Sequence, residues 1–131
     1  TTLTLADDGS FPTLGLGTWK IPQDRAPGVI EDAVTAGYRH FDCACDYGNE
    51  PQVGAGLNAA MKNGLAPRED LWVTSKLWNT YHEPQHVRAA CERSLKDLQL
   101  DYLDLHLGHL PIADAFVPFE ARYPPELFFD P

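Results

Sequence analysis

Apolar positions along this chain fall into runs whose period changes from two to about 3.6 and back, with glycine, proline or charged residues at each change. Thr2–Leu5, a turn signal at Asp8-Gly9 and then Phe11 predict a short antiparallel hairpin. Thr13–Thr18 reads as an apolar, glycine-rich strand. Pro27 suits a first helical turn, Ile30, Ala33 and Val34 then share one face, and Gly37 closes that helix. Tyr38–Asp42 is the next strand. Residues 50–63 place Val53, Leu57, Ala60 and Met61 at helical spacing and end at Gly64. A polar connector, Pro67–Asp70, leads into strand Leu71–Lys76. Thr80-x-x-Glu83 before Pro84 resembles a capping box, opening a helix to about Leu98 with Val87, Cys91, Leu95 and Leu98 inward. Tyr102–Leu107 is the last strand, and Pro111–Pro131 is aperiodic and rich in proline and aromatics.

After the hairpin the order is β-α-β-α-β-α-β, which implies right-handed crossovers and a parallel sheet with helices outside. Four such strands cannot close a (β/α)8 barrel, which takes about 250 residues. A half barrel would leave backbone unpaired on its first and last strands. The expectation is therefore part of a longer chain.

Composition narrows the partners. Nineteen Asp and Glu against ten Lys and Arg give a formal charge of −9, which argues against nucleic acid or an anionic membrane surface. No apolar run reaches the length of a membrane span, and no basic-then-apolar leader opens the sequence. Cys43, Cys45 and Cys91 lack disulfide or zinc spacing and read as small packing residues in a reducing, cytoplasmic setting.

The candidate chemistry sits at strand ends. Asp42 ends one strand and Tyr47 lies in the loop after it; Lys76 ends the next, and His109 follows the last. Each has an ordinary alternative: a loop-capping acid, a packing aromatic, a snorkelling lysine, a satisfied core histidine. Lysine rarely enters a buried parallel strand unless paired. Together the four converge on the face where barrel active sites lie. His106 and His109 should point to opposite faces of one strand, so no metal site is expected. Gly15-x-Gly17 lacks the third glycine of a dinucleotide fingerprint. Asn49 and Glu50 read as the opening of a helix.

The run Gly37-Tyr38-Arg39-His40-Phe41-Asp42-Cys43-Ala44, then Glu50 and Val53-Gly54, resembles the N-terminal signature of the aldo-keto reductases. Gly15-Leu16-Gly17-Thr18-Trp19, Arg68-Glu69-Asp70-Leu71, Thr74-Ser75-Lys76-Leu77-Trp78 and Asp101-Tyr102-Leu103-Asp104-Leu105 are similar to its other landmarks, in the same order. Phe116-Val117-Pro118-Phe119-Glu120 with Tyr123-Pro124-Pro125 resembles the loop after the fourth strand in xylose and related aldose reductases.

The resemblance implies an α/β fold, a (β/α)8 TIM barrel of which residues 1–131 are the N-terminal half: the hairpin, strands one to four within 12–110, and the start of a long loop at 111–131. It implies reduction of an aldehyde or aldose carbonyl with NADPH, or NADH, by a protein that is a monomer or homodimer at full length. Tyr47 would donate the proton, Lys76 lower the phenol's pKa, Asp42 hold Lys76, and a neutral His109 orient the carbonyl. Gly17, Thr18, Trp19 and Asp42 would lie by the cofactor, with Trp19, Tyr47 and His109 lining the substrate pocket. The family has bulky residues around this histidine, so Gly108 and Leu110 imply a looser ring or a wider pocket. Two other readings stay open: a binding or structural protein on the same fold, and an inactive truncated half barrel.

Overall fold

The computed structural model describes residues 1–6 and 9–121. Strands β1 (Thr2–Thr4) and β2 (Ser10–Pro12) form the hairpin, with Leu3 opposite Phe11. Asp8 of the expected turn lies outside the described residues, as do Tyr123, Pro124 and Pro125. A separate parallel sheet runs in chain order through β3 (Leu16–Gly17), β4 (His40–Asp42), β5 (Trp72–Leu77) and β6 (Leu105–Gly108). Helices α1 (Ala26–Thr35), α2 (Glu50–Lys62) and α3 (Pro84–Leu98) fill the three crossovers.

Three strands are shorter than their apolar runs, and backbone bonding shows why in two of them. Tyr38 N–H bonds the Ala33 carbonyl at the end of α1, and Arg39 Nη1 reaches the Val34 and Tyr38 carbonyls. Those groups finish the helix, so β4 begins at His40. Before β6, Asp104 Oδ2 accepts the Val73 N–H at 2.8 Å and Arg68 Nη2 at 2.8 Å, while Arg68 Nη2 also donates to the Tyr102 carbonyl. A side-chain clamp stands where ladder bonds were expected. Around β3, only Leu16 and Gly17 of the Thr13–Thr18 run pair with β4.

The parallel strands use their two faces differently. Phe41 and Val73 point toward the helices and join Ile30, Val34, Val53, Leu57 and Leu98 in a core of fully buried side chains. On the opposite face, His40 and Trp72 meet Phe11 of the hairpin edge-to-face, each at 5.0 Å between ring centroids. The hairpin thus covers the upstream end of that face. A Cβ on Gly15 would lie 2.8 Å from His40 Nδ1, so the close approach needs glycine there.

Helix α2 is held tightly on two sides. A Cβ on Gly54 would lie 2.5 Å from the Leu98 carbonyl carbon, and one on Gly56 would lie 2.7 Å from the Pro27 carbonyl oxygen. Glycine lets α2 settle onto the backbones of α3 and α1 together. Gly37, with φ +100, turns the chain out of α1 as expected.

Helix α3 departs from expectation at its start and on its face. Thr80 does not cap it. Residues 79–81 make a short 3-10 turn, and the helix begins at Pro84 after Glu83, whose side chain makes no capping bond. Its buried positions are Ala90, Ser94 and Leu98, with Val87, Cys91 and Leu95 half-buried. A polar Ser94 is welcome inside because Glu50 accepts its hydroxyl. Beyond β6, residues 112–121 form no helix or strand but pack back: Phe119 stacks on Tyr81 at 4.4 Å and Phe116 on His86 at 3.7 Å.

Candidate active site

The downstream ends of β3, β4, β5 and β6 converge, and the structure brings Asp42, Tyr47, Lys76 and His109 together there. Lys76 points to the same side of β5 as Thr74 and Trp72, as period-two alternation requires. Its ammonium donates to Asp42 Oδ1 at 2.8 Å, to the Cys43 carbonyl at 2.9 Å and to the Tyr47 hydroxyl at 3.1 Å. A lysine on a parallel strand is thereby fully employed, which answers the snorkelling alternative.

Tyr47 closes a short 3-10 turn, Cys45–Tyr47, and Gly48 then adopts φ 70 to redirect the chain into α2. Asn49 ties the turn to the end of β3, donating to the carbonyls of Thr18 at 2.9 Å and Ile21 at 3.1 Å. The Tyr47 ring lies edge-on to His109 at 5.8 Å and tilted against Trp19 at 6.4 Å.

His109 follows β6 directly, its N–H bonded to the Leu77 carbonyl. Its ring is gripped by Trp78, edge-to-face at 5.1 Å, and its Nδ1 lies 3.0 Å from Asp46 Oδ1. Those two atoms are buried without a hydrogen-bond partner, because their approach has the distance of a hydrogen bond but not its alignment. Trp78 and Tyr47 pack edge-on against the ring, while a Cβ at Gly108 would meet nothing within 4 Å.

The residues expected at the cofactor divide. Trp19 is exposed at the rim with Lys20 Nζ 4.7 Å above its ring, and Gly17 is exposed beside Asp42. Thr18 is fully buried, and its N–H and hydroxyl both donate to the Asp42 carbonyl, at 3.0 and 3.1 Å. Its side chain braces Asp42 from behind and does not face the opening.

Burial pulls the Lys76 pKa down, but the bonds to Asp42 and Tyr47 outweigh it, so the ammonium sits above its ordinary value. Burial pushes the Tyr47 phenol above its ordinary 10.0; Lys76 opposes that rise, while Asp42 and Asp46 add to it. The downward pull expected of Lys76 is present, but it does not set the net direction. Removing the ring from water pushes harder.

Sequence reasoning missed three participants. Asp46, next to Tyr47, was assigned no role. Trp78 was noted only as part of a landmark. Glu50 was read as a helix opener, yet it is 2% exposed and accepts Ser75 Oγ at 2.6 Å and Ser94 Oγ at 3.0 Å. Its depth was signalled only by its place one turn before Val53 and Gly54, both buried.

The profile of the aldo/keto reductase family matches residues 13–120. The chain belongs to that family. It is 50% identical over 125 residues, 95% of its length, to the NAD(P)H-dependent D-xylose reductase of Pachysolen tannophilus, of which it covers 39%. It is 48% identical over 126 residues to the NADPH-dependent aldose reductase GRE3 of Saccharomyces cerevisiae, covering 96% of this chain and 38% of that one. Among solved structures, a Bombyx mori aldo-keto reductase in complex with NADP superposes with a TM-score of 0.84 at 42% identity, covering 88% of this chain and 39% of that one. The aldose reductase of Schistosoma japonicum gives 0.86 at 43%, covering 90% and 39%. The chain thus spans about two fifths of the length of these relatives, and its fold is the N-terminal part of the aldo-keto reductase barrel.

Proposed function

We propose that the protein to which these residues belong reduces an aldehyde or aldose carbonyl to the alcohol with NADPH, NADH being the alternative donor. The observation that carries this reading is the Lys76 ammonium lying 3.1 Å from the Tyr47 hydroxyl and 2.8 Å from Asp42. Relatives named for reduction of D-xylose and aldoses with NAD(P)H support the substrate and cofactor class.

Fit to a nicotinamide can be judged on the residues present. The Asp42 side chain is 41% exposed although one oxygen holds Lys76, leaving acceptor capacity for a ribose hydroxyl. The exposed indole of Trp19 beside the Tyr47 ring gives a flat aromatic wall. These residues fit one side of such a group. When bound, it supplies the hydride that reaches the carbonyl carbon.

The protein's own task is the proton. As negative charge develops on the carbonyl oxygen, Tyr47 gives up its hydroxyl proton to it, and the alcohol is complete. Lys76 stabilises the phenolate left behind, an electrostatic contribution strengthened by partial exclusion of water. Asp42 keeps the ammonium charged and aimed. His109, packed edge-on against Trp78 and Tyr47, orients the carbonyl oxygen toward Tyr47. Water then returns a proton to the phenolate. Free Cys43, Cys45 and Cys91 support the proposal of a reducing cytoplasm.

The test is aldehyde-dependent loss of NADPH absorbance by the full-length protein. Turnover with D-xylose or simple aldehydes is the expected result. Cofactor binding with no turnover on any aldehyde would favour the binding-protein reading.

A further inference from the structure

We propose that Glu50 is a positioning residue for the Tyr47–Lys76 pair, its carboxyl group acting as a clamp that fixes how far the phenol stands from the ammonium. The inference rests on the carbonyl-reductase reading of that pair and adds a residue to it.

Chain geometry makes the case. Glu50 is the first residue of α2 and follows Tyr47 by three positions. Ser75, whose hydroxyl donates to Glu50 Oε1 at 2.6 Å, immediately precedes Lys76. One short, buried hydrogen bond therefore joins the loop that carries the phenol to the strand that carries the ammonium. The other carboxyl oxygen accepts Ser94 Oγ at 3.0 Å, which fastens the same point to α3. Asn49 anchors the Tyr47 turn to Thr18 and Ile21, and Gln23 reaches the Gly48 carbonyl. On the β5 side Cys43, four residues before the phenol, bonds the Thr74 carbonyl through its N–H and accepts Lys76 through its carbonyl. The Cys45 thiol does reach the Lys76 carbonyl, but at 3.5 Å and as a weak donor.

The carboxyl group is also costly where it stands. Burial pushes its pKa up from 4.5 to about 7, against the downward pull of the two serine hydroxyls. An apolar side chain would fill the space without that penalty, but it would leave Ser75 and Ser94 unbonded in the interior. Glu50 is not among the largest influences on the Tyr47 phenol, which are burial, Lys76, Asp42 and Asp46. The clamp acts on the pair through position.

Glu50→Gln separates shape from charge, since the amide oxygen of the new side chain can accept Ser75 while its NH2 group donates to Ser94. The experiment compares Glu50→Gln, Glu50→Ala and Ser75→Ala in the full-length protein. Kinetics are paired with titration of the Tyr47 phenol by carbon-13 at tyrosine Cζ, assigned with Tyr47→Phe. Glu50→Ala should lower kcat on the order of 10- to 100-fold per folded molecule while leaving cofactor KM unchanged. Its Tyr47 phenol should titrate at higher pH, having lost part of the ammonium's pull. Glu50→Gln should match the wild type in both readouts. Ser75→Ala should move both in the same direction as Glu50→Ala, by less, and it decides the matter if Glu50→Ala does not fold. A folded Glu50→Ala or Ser75→Ala with wild-type kcat and phenol titration would overturn the clamp. If even the wild type lacks turnover, the reductase reading fails alone, and the phenol titration still tests whether Glu50 sets the pair.

Discussion

The inner face of the parallel sheet has two ends built from the same strands to opposite purposes. Upstream, Phe11, His40 and Trp72 close ring on edge at 5.0 Å, and Trp72 Nε1 donates to Thr74 Oγ1 at 3.1 Å. Downstream, the next inward residues of β4 and β5 are Asp42 and Lys76. There the carboxylates, the ammonium, the phenol and the imidazole crowd together, with Tyr47 pushed above its ordinary pKa and two buried atoms misaligned. One end satisfies its groups with ring contacts and hydrogen bonds. The other keeps charge and reactive hydrogen at an open rim, which is how barrels separate stability from chemistry.

The contrast can be broken from either end. Tyr47→Phe should give the largest effect, a loss of about 10²- to 10⁴-fold in kcat with unchanged thermal midpoint and cofactor affinity, measured by NADPH oxidation and calorimetry. Phe11→Ala should do the reverse. It removes a half-buried ring, costing about 2–3 kcal/mol in urea denaturation, while kcat per folded molecule stays near wild type. If Phe11→Ala cut turnover as deeply as Tyr47→Phe, the two ends would not be independent.

Glu50 sharpens the comparison through pH. Its folded pKa of about 7 exceeds the ordinary 4.5, first through burial and then Asp97, against the two serines and Arg93. Because the raised pKa favours the protonated form in the fold, that stability is fully present below about 4.5 and is lost as pH rises through about 7. The change amounts to at most about 3 kcal/mol. Glu50→Gln should therefore flatten that part of the stability profile, read from denaturation midpoints at about pH 5 and pH 8. A smaller effect is expected at the rim, where Trp19→Ala should raise aldehyde KM with little change in stability, since the indole is 58% exposed.

Much of this was legible in the sequence. The alternation of strands and helices, the helix ends at Gly37 and Gly64, and the placing of Asp42, Tyr47, Lys76 and His109 at strand ends all follow from local rules of period and punctuation. What was not legible depends on partners distant in sequence. Tyr38 and Tyr102 look like strand residues, yet their backbone groups bond to α1 and to Arg68. Ser94 looks like solvent-facing helix until Glu50 is brought to it from 44 residues away. Lys76 beside Tyr47 predicts a lowered phenol pKa only if burial is left out.

The most direct test of the central claim is the pH–rate profile of Lys76→Met against wild type. The Tyr47 proton-donor account predicts a collapse in kcat with the phenol's limb displaced to higher pH, because the ammonium's downward pull is gone while burial remains. A Lys76→Met protein with wild-type turnover and an unmoved profile would contradict it.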